Sequence, residues 1–154
     1  MLNVIIRGQA HPRKQRKSPI VRCMPVTDWE VAIAAAEAGA AVVLRRYGQP
    51  LARLEKSPTD FATAADVESE QAVIDVLGAA RPGDAVVGEE SGRTGDPHAE
   101  RTWLVDPLCG TLNYAARTTL VAVNVALRLG ADVDVGVSAD PFAGEVFWAD
   151  GGRA

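Results

Sequence analysis

Residues 119–129, TLVAVNVALRL, alternate apolar with small or polar side chains at a period of two. Val121, Val123, Val125, Leu127 and Leu129 fall on one side, and Ala122, Asn124, Ala126 and Arg128 on the other. Successive side chains of a strand point to opposite faces, so this run reads as a long strand with one buried face. The next segment, ADVDVGVSAD (131–140), alternates as well, which makes Gly130-Ala131-Asp132 a hairpin turn. PFAGEVFWAD (141–150) then supplies a third member of an antiparallel meander.

The first half of the chain carries helical signals instead. Thr27 and Glu30 stand at capping-box spacing before VAIAAAEAGAAVVLRRYG (31–48), a run rich in alanine. Arg45 and Arg46 fall in its last turn and Gly48 just after, as expected of a helix end. The run is apolar almost all round and is expected to be well buried. QPLARLEKSPTDFATAAD (49–66) reads as a hairpin turning at Ser57-Pro58. Thr63 precedes Asp66 by three, a second capping pattern. The segment 66–80 is expected to be a helix ending near Gly78, with Val73, Ile74 and Leu77 on one face. Then come a short buried strand, AVVG (85–88), and two adjacent acids in a Gly-bounded loop. A second loop (93–100) and a second buried strand, TWLVD (102–106), follow. Helices first and strands later predict an α+β fold, two long helices packed on a largely antiparallel sheet.

A chain of 154 residues suits one domain with a real core. Residues 1–25 hold six bases and no acid, which leaves ten of the 16 basic residues against all 20 acids in residues 26–154. The first segment reads as a basic tail, either disordered or preceding a natural start at Met24, and the second as the folded unit. So acidic a body predicts no nucleic-acid partner and suits divalent cations. Two cysteines, Cys23 and Cys109, make no disulfide framework, and reduced thiols in a cytoplasmic protein are expected. No apolar run approaches the roughly 18 residues of a membrane span.

Four acids lie at strand ends or at a helix start: Asp66, Glu89, Glu90 and Asp106. Acids in such places are costly unless paired or metal-bound. Mg²⁺ takes oxygen ligands and keeps several waters, so acids from neighbouring strand ends could supply its shell. After Asp106 the backbone of Cys109-Gly110-Thr111 could turn N–H groups toward an anion, and a short helix, TLNYAAR (111–117), would add its dipole. Metal plus phosphate suggests phosphoryl hydrolysis. On spacing alone, Glu89-Glu90 reads more readily as a solvated loop pair and Asp106-Pro107 as a common turn start.

Three segments in order carry a resemblance. KSPTDFATAAD (56–66), GEES (88–91) and WLVDPLCGTLNYA (103–115) together resemble the Mg²⁺-dependent, lithium-sensitive inositol monophosphatase family. That family's strings are Lys-x-x-x-Asp-(Leu/Phe)-x-Thr-x-x-Asp, an acid-acid loop, and Asp-Pro-(Ile/Leu)-Asp-Gly-Thr-x-Asn-(Phe/Tyr). The resemblance implies the N-terminal part of the sugar-phosphatase fold. It implies hydrolysis of an inositol phosphate or related small sugar phosphate by a metal-activated water, with no phosphoenzyme. Residue by residue, Glu89 would bind Mg²⁺, Asp106 would bridge two metals, and the Leu108 carbonyl would ligate one. Glu90 would stand behind them or act on a further metal. Thr111, with Asp66 behind it, would orient the attacking water. The backbone N–H groups of Gly110 and Thr111 would hold the phosphate, with Lys56 on the phosphate side. The resemblance also carries over a homodimer.

Two departures stand out. Cys109 occupies the position of the family's second aspartate, and a soft thiol there should weaken or remove the second Mg²⁺. A thiolate at a helix start would have a lowered pKa and be reactive, but the reading favoured here is a small apolar side chain tolerated by a variant subfamily. In addition, the family pattern needs a second half of comparable length. The chain is therefore expected to be an N-terminal half: a truncated product, one piece of a split enzyme acting with a separate C-terminal half, or part of a longer gene. The alternative to an active hydrolase is an inactive phosphatase-like module acting through a partner. A cysteine phosphatase would need Cys-x₅-Arg, whereas Arg117 lies eight positions beyond Cys109. A zinc site on Cys109 lacks a second nearby Cys or His.

Overall fold

The computed structural model describes the backbone of residues 26–50, 53–57 and 60–151, and side chains within 26–50 and 62–151. The basic segment 1–25 and Cys23 lie outside the described residues. Helix α1, Asp28–Arg46, starts at the expected capping box: the Thr27 side chain accepts from the Glu30 N–H while the Glu30 carboxylate accepts from the Thr27 N–H. It buries one stripe rather than its whole circumference: Val31, Ala32, Ala35, Ala36, Val42 and Val43 face inward, whereas Leu44 is half exposed. Alanine favours the helix whichever face it occupies, so an alanine-rich run hides its true moment.

A hairpin of β1, Arg53–Ser57, and β2, Asp60–Thr63, leads into α2, Ala64–Ala80. Thr63 and Asp66 form the second capping box, and the helix runs two residues past Gly78. Six further strands form one sheet: β3 (Ala85–Gly88), β4 (Gly92–Thr94), β5 (Arg101–Cys109), β6 (Ala122–Leu129), β7 (Asp132–Asp140) and β8 (Glu145–Asp150), in the order β4-β3-β5-β6-β7-β8. A short helix, α3 (Thr111–Ala115), joins β5 to β6.

The meander β5–β8 is antiparallel throughout, as the alternation requires. Val123, Val125 and Leu127 of β6, Val135 and Val137 of β7, and Trp103 of β5 face the two helices and join Val31, Val43, Val73 and Leu77 in one core. Trp29 of α1 stacks on Trp148 of β8 with ring centroids 4.8 Å apart. A charged cluster ties the helix start to the sheet: Asp28 accepts from Arg81 and Arg101, while Asp84 accepts from Arg101 and from the Trp103 indole at 2.9 Å.

Two features differ from the sequence reading. Part of the loop after the acid pair is strand β4, which folds back on β3 and confines Glu89 and Glu90 to the tight turn 89–91. And β3 lies parallel to β5, pairing Gly88 with Val105, so the sheet is mixed at one end. A four-residue apolar run has no local sign of its partner's direction; the crossover through the loop 95–100 sets it.

Candidate active site

The parallel pairing carries on one residue past β3, because the Glu89 N–H donates to the Val105 carbonyl at 3.2 Å. Glu89 thus stands beside Asp106. Strand alternation sends both away from the helices, onto the sheet face that bears Val87, Leu104, Asn124 and Ala126. These residues line a groove of about 380 Å³. Asn124, opposite Asp106 in β6, donates to Asp106 Oδ2 at 3.4 Å. Among the described residues no group donates to the buried Asp106 Oδ1. An oxygen so placed is costly unless something positive meets it.

Beyond Asp106 the β5–β6 register slips: Asp106 faces Asn124, yet Cys109 faces Ala122. Pro107 sits in this bulge, where it has no ladder N–H to lose. Gly110 follows with φ +99°, and a Cβ there would come 2.9 Å from the Leu120 carbonyl. Glycine is required on both counts. It turns the chain into α3, which no side chain caps. Thr111 Oγ1 lies 2.9 Å from Asp66 Oδ1 and 3.1 Å from the Leu108 carbonyl. A hydroxyl has one proton. The charged carboxylate is both nearer and the stronger acceptor, so the proton points to Asp66 and leaves the Thr111 lone pairs available. Asp66 is 2% exposed, and its other oxygen takes the Thr63 N–H and hydroxyl. One carboxylate therefore caps α2 and sets the Thr111 rotamer.

The site residues read from the sequence do not all gather in one cage. Glu89 and Asp106 share a face. Asp66, Leu108, Gly110 and Thr111 form a connected group next to them. Glu90 lies in the same turn as Glu89, its N–H bonded to Glu70. Lys56 is on β1, and its side chain lies outside the described residues. Among the described residues no group of three or more His, Cys, Asp or Glu side chains is placed to hold a metal. Two carboxylates and one carbonyl nevertheless match Mg²⁺, which commonly takes one or two carboxylates and fills its octahedron with water. The unpartnered Asp106 Oδ1 fits that donor set.

Of the two readings of the cysteine, the structure favours the unreactive thiol. Cys109 is exposed, yet its thiol is pushed above its ordinary pKa, first by partial desolvation and then by the negative charge of Asp106. It stays protonated at neutral pH and is a poor ligand for a hard cation.

The sequence reading missed Glu70. It is buried in α2, and its carboxylate accepts the N–H groups of Glu90 and Ser91 at 2.8 and 2.7 Å. Its signal was spacing: Asp66, Glu70, Val73 and Leu77 fall at i, i+4, i+7 and i+11, one continuous stripe.

The family model described as "Inositol monophosphatase family" matches residues 25–154, and the chain belongs to that family. It is 37% identical over 124 residues to an inositol-1-monophosphatase of Caulobacter vibrioides, covering 79% of this chain and 48% of the relative. It is 31% identical over 125 residues to the Nus factor SuhB of Escherichia coli K12, covering 80% of this chain and 47% of the relative. Among solved structures, the extragenic suppressor protein suhB of Bartonella henselae superposes with a TM-score of 0.77 at 30% identity, covering 80% of this chain and 49% of that one. The inositol monophosphatase of Anabaena gives 0.68 at 31% identity, covering 80% and 44%. The chain spans about half the length of these relatives. Among the described residues no helix is long and apolar enough to cross a membrane.

Proposed function

We infer that this chain carries the metal and phosphate half of a phosphomonoesterase site, which acts on inositol phosphate or a similar small sugar phosphate in the cytoplasm. The observation that carries this reading is the buried, unpartnered Asp106 Oδ1 abreast of Glu89. Glu89, Asp106 and the Leu108 carbonyl would hold Mg²⁺, with Glu90 behind them, and the ion would supply charge neutralisation and a more acidic bound water. The chain's own groups then have distinct tasks. Asp66 Oδ1 holds the Thr111 proton, so Thr111 Oγ1 accepts from the attacking water and aims its lone pair. The N–H groups of Gly110 and Thr111, at the uncapped start of α3, bind the phosphate oxygens, with Lys56 on the phosphate side. Water adds to phosphorus, the ester P–O bond breaks, and the sugar alcohol leaves with a proton. A small phosphorylated substrate and a second copy of the chain are the partners of this reading.

One observation favours a second reading, a non-catalytic module. Cys109 stands where the family pattern has an aspartate, and its thiol stays neutral. Several relatives also bear the name Nus factor SuhB rather than that of an enzyme. Mg²⁺-dependent phosphate release from inositol 1-phosphate separates the two, run on the parent, Cys109→Asp and Asp106→Ala. The hydrolase reading expects release from the parent or from Cys109→Asp, and loss in Asp106→Ala. No release from any of them supports the module.

A further inference from the structure

Glu70 is an acid where a surface helix would carry an apolar residue. It is 2% exposed in the second turn of α2, while Val67 nearby is 42% exposed. Among the described residues no cation pairs with it. Two backbone donors, the N–H groups of Glu90 and Ser91, are what its carboxylate holds. Gly88 brings the β3 backbone so close that a Cβ there would lie 2.5 Å from Glu70 Cδ. One side chain therefore fixes the 88–91 turn from beneath and from its far end. A buried carboxylate is an expensive way to fill space, and a residue without charge would fill it at lower cost.

What this arrangement does fix is Glu89. Its own N–H is held by the Val105 carbonyl at 3.2 Å, and the next two peptide units are held by Glu70. With the backbone pinned on both sides, the direction in which the Glu89 side chain leaves the strand is set. Ser69, the neighbour of Glu70 on α2, does the matching task on the other strand: its hydroxyl donates to the Pro107 carbonyl at 2.8 Å, one residue past Asp106. We propose that Glu70 is a positioning residue that holds the Glu89 carboxylate abreast of Asp106 for a divalent cation, with Ser69 bracing the Asp106 side. This rests on the reading of Glu89 and Asp106 as a cation site and assigns what orients it.

The test is Mg²⁺ titration calorimetry on the full chain, comparing the parent, Glu70→Gln and Val73→Ala, together with amide exchange at Glu90 and Ser91. Glu70→Gln keeps volume but turns one acceptor into an NH₂ group that faces an N–H. The proposal expects Mg²⁺ affinity to fall about tenfold or more, as for other residues that orient ligands, with faster exchange of both amides. Val73→Ala, a cavity one turn further along α2, should lower thermal stability and leave affinity and these amides unchanged. A parent that binds no Mg²⁺ would overturn the cation site and the proposal with it. A parent that binds, with Glu70→Gln binding within twofold of it, would overturn the proposal alone. The amides of the parent give a variant-free check: both should be protected, and exchange at open-loop rates would refute the bracket.

Discussion

Replacing Gly88 by alanine sets two effects of opposite sign against each other. Gly88 has no left-handed φ, so alanine fits the backbone, and Gly→Ala in a compatible strand position normally stabilises by about 0.4–1 kcal/mol. Here the new Cβ would stand 2.5–2.6 Å from all three carboxyl atoms of Glu70, against an ordinary contact of 3.4–4 Å. The carboxylate must retreat by about 1 Å, which lengthens its bonds to Glu90 and Ser91 from 2.8 and 2.7 Å beyond hydrogen-bonding range. Crowding costs about 1–3 kcal/mol, and each bond to a charged acceptor is worth about 1.5–3 kcal/mol. The clash wins, and Gly88→Ala should destabilise by at least about 3 kcal/mol. In a Glu70→Ala background the obstacle is gone, and the same substitution should cost less than about 0.5 kcal/mol, a coupling above about 2 kcal/mol. Urea unfolding followed by fluorescence of the buried Trp103 measures all four corners of the cycle. A coupling below about 0.5 kcal/mol would show that Glu70 gives way freely, and the rigid bracket would be wrong.

Asp106→Asn should raise the melting temperature of the metal-free chain, because it removes the charge from a buried oxygen that lacks a donor, and should abolish any stabilisation by added Mg²⁺; a drop in metal-free stability would contradict this. The alkaline limb should report Tyr114, whose hydroxyl donates to the Val43 carbonyl at 2.8 Å. Burial, and then the charge of Asp66, push its pKa up from 10 to about 12. The fold favours the neutral phenol, so its contribution is complete below pH 10 and is lost between pH 10 and about 12. By pH 11 the loss is about 1.4 kcal/mol. Denaturation at pH 9 and 11 should show a steeper loss of stability in the parent than in Tyr114→Phe, the raised Cys109 thiol contributing equally to both; equal slopes would sink the assignment.

Much of the site was legible because its signals are local. The Asp-Pro-Leu-Cys-Gly-Thr string fixes a bulge and a left-handed turn through residues that suit few other geometries, and the Thr63–Asp66 spacing already placed a carboxylate at a helix start. Glu70 was not legible in the same way. Glu70 is buried while apolar Val67 is exposed, the reverse of what hydropathy suggests, because the Glu70 carboxylate meets backbone amides and not apolar side chains. Hydropathy cannot register a partner that is a peptide N–H from another segment.

The sequence by itself determined the capping boxes of α1 and α2, the period-two meander β6–β8, and the acids and glycine of the candidate site. Each of these depends on residues within a few positions of one another. Tertiary structure alone decided that β3 runs parallel to β5, that Glu89 stands beside Asp106, and that Asp66 reaches Thr111 across 45 residues of chain. It also decided that the Cys109 thiol is held neutral by partial desolvation and by Asp106. Those outcomes turn on which groups meet through space, where desolvation and charge act over a few ångströms whatever the separation along the chain.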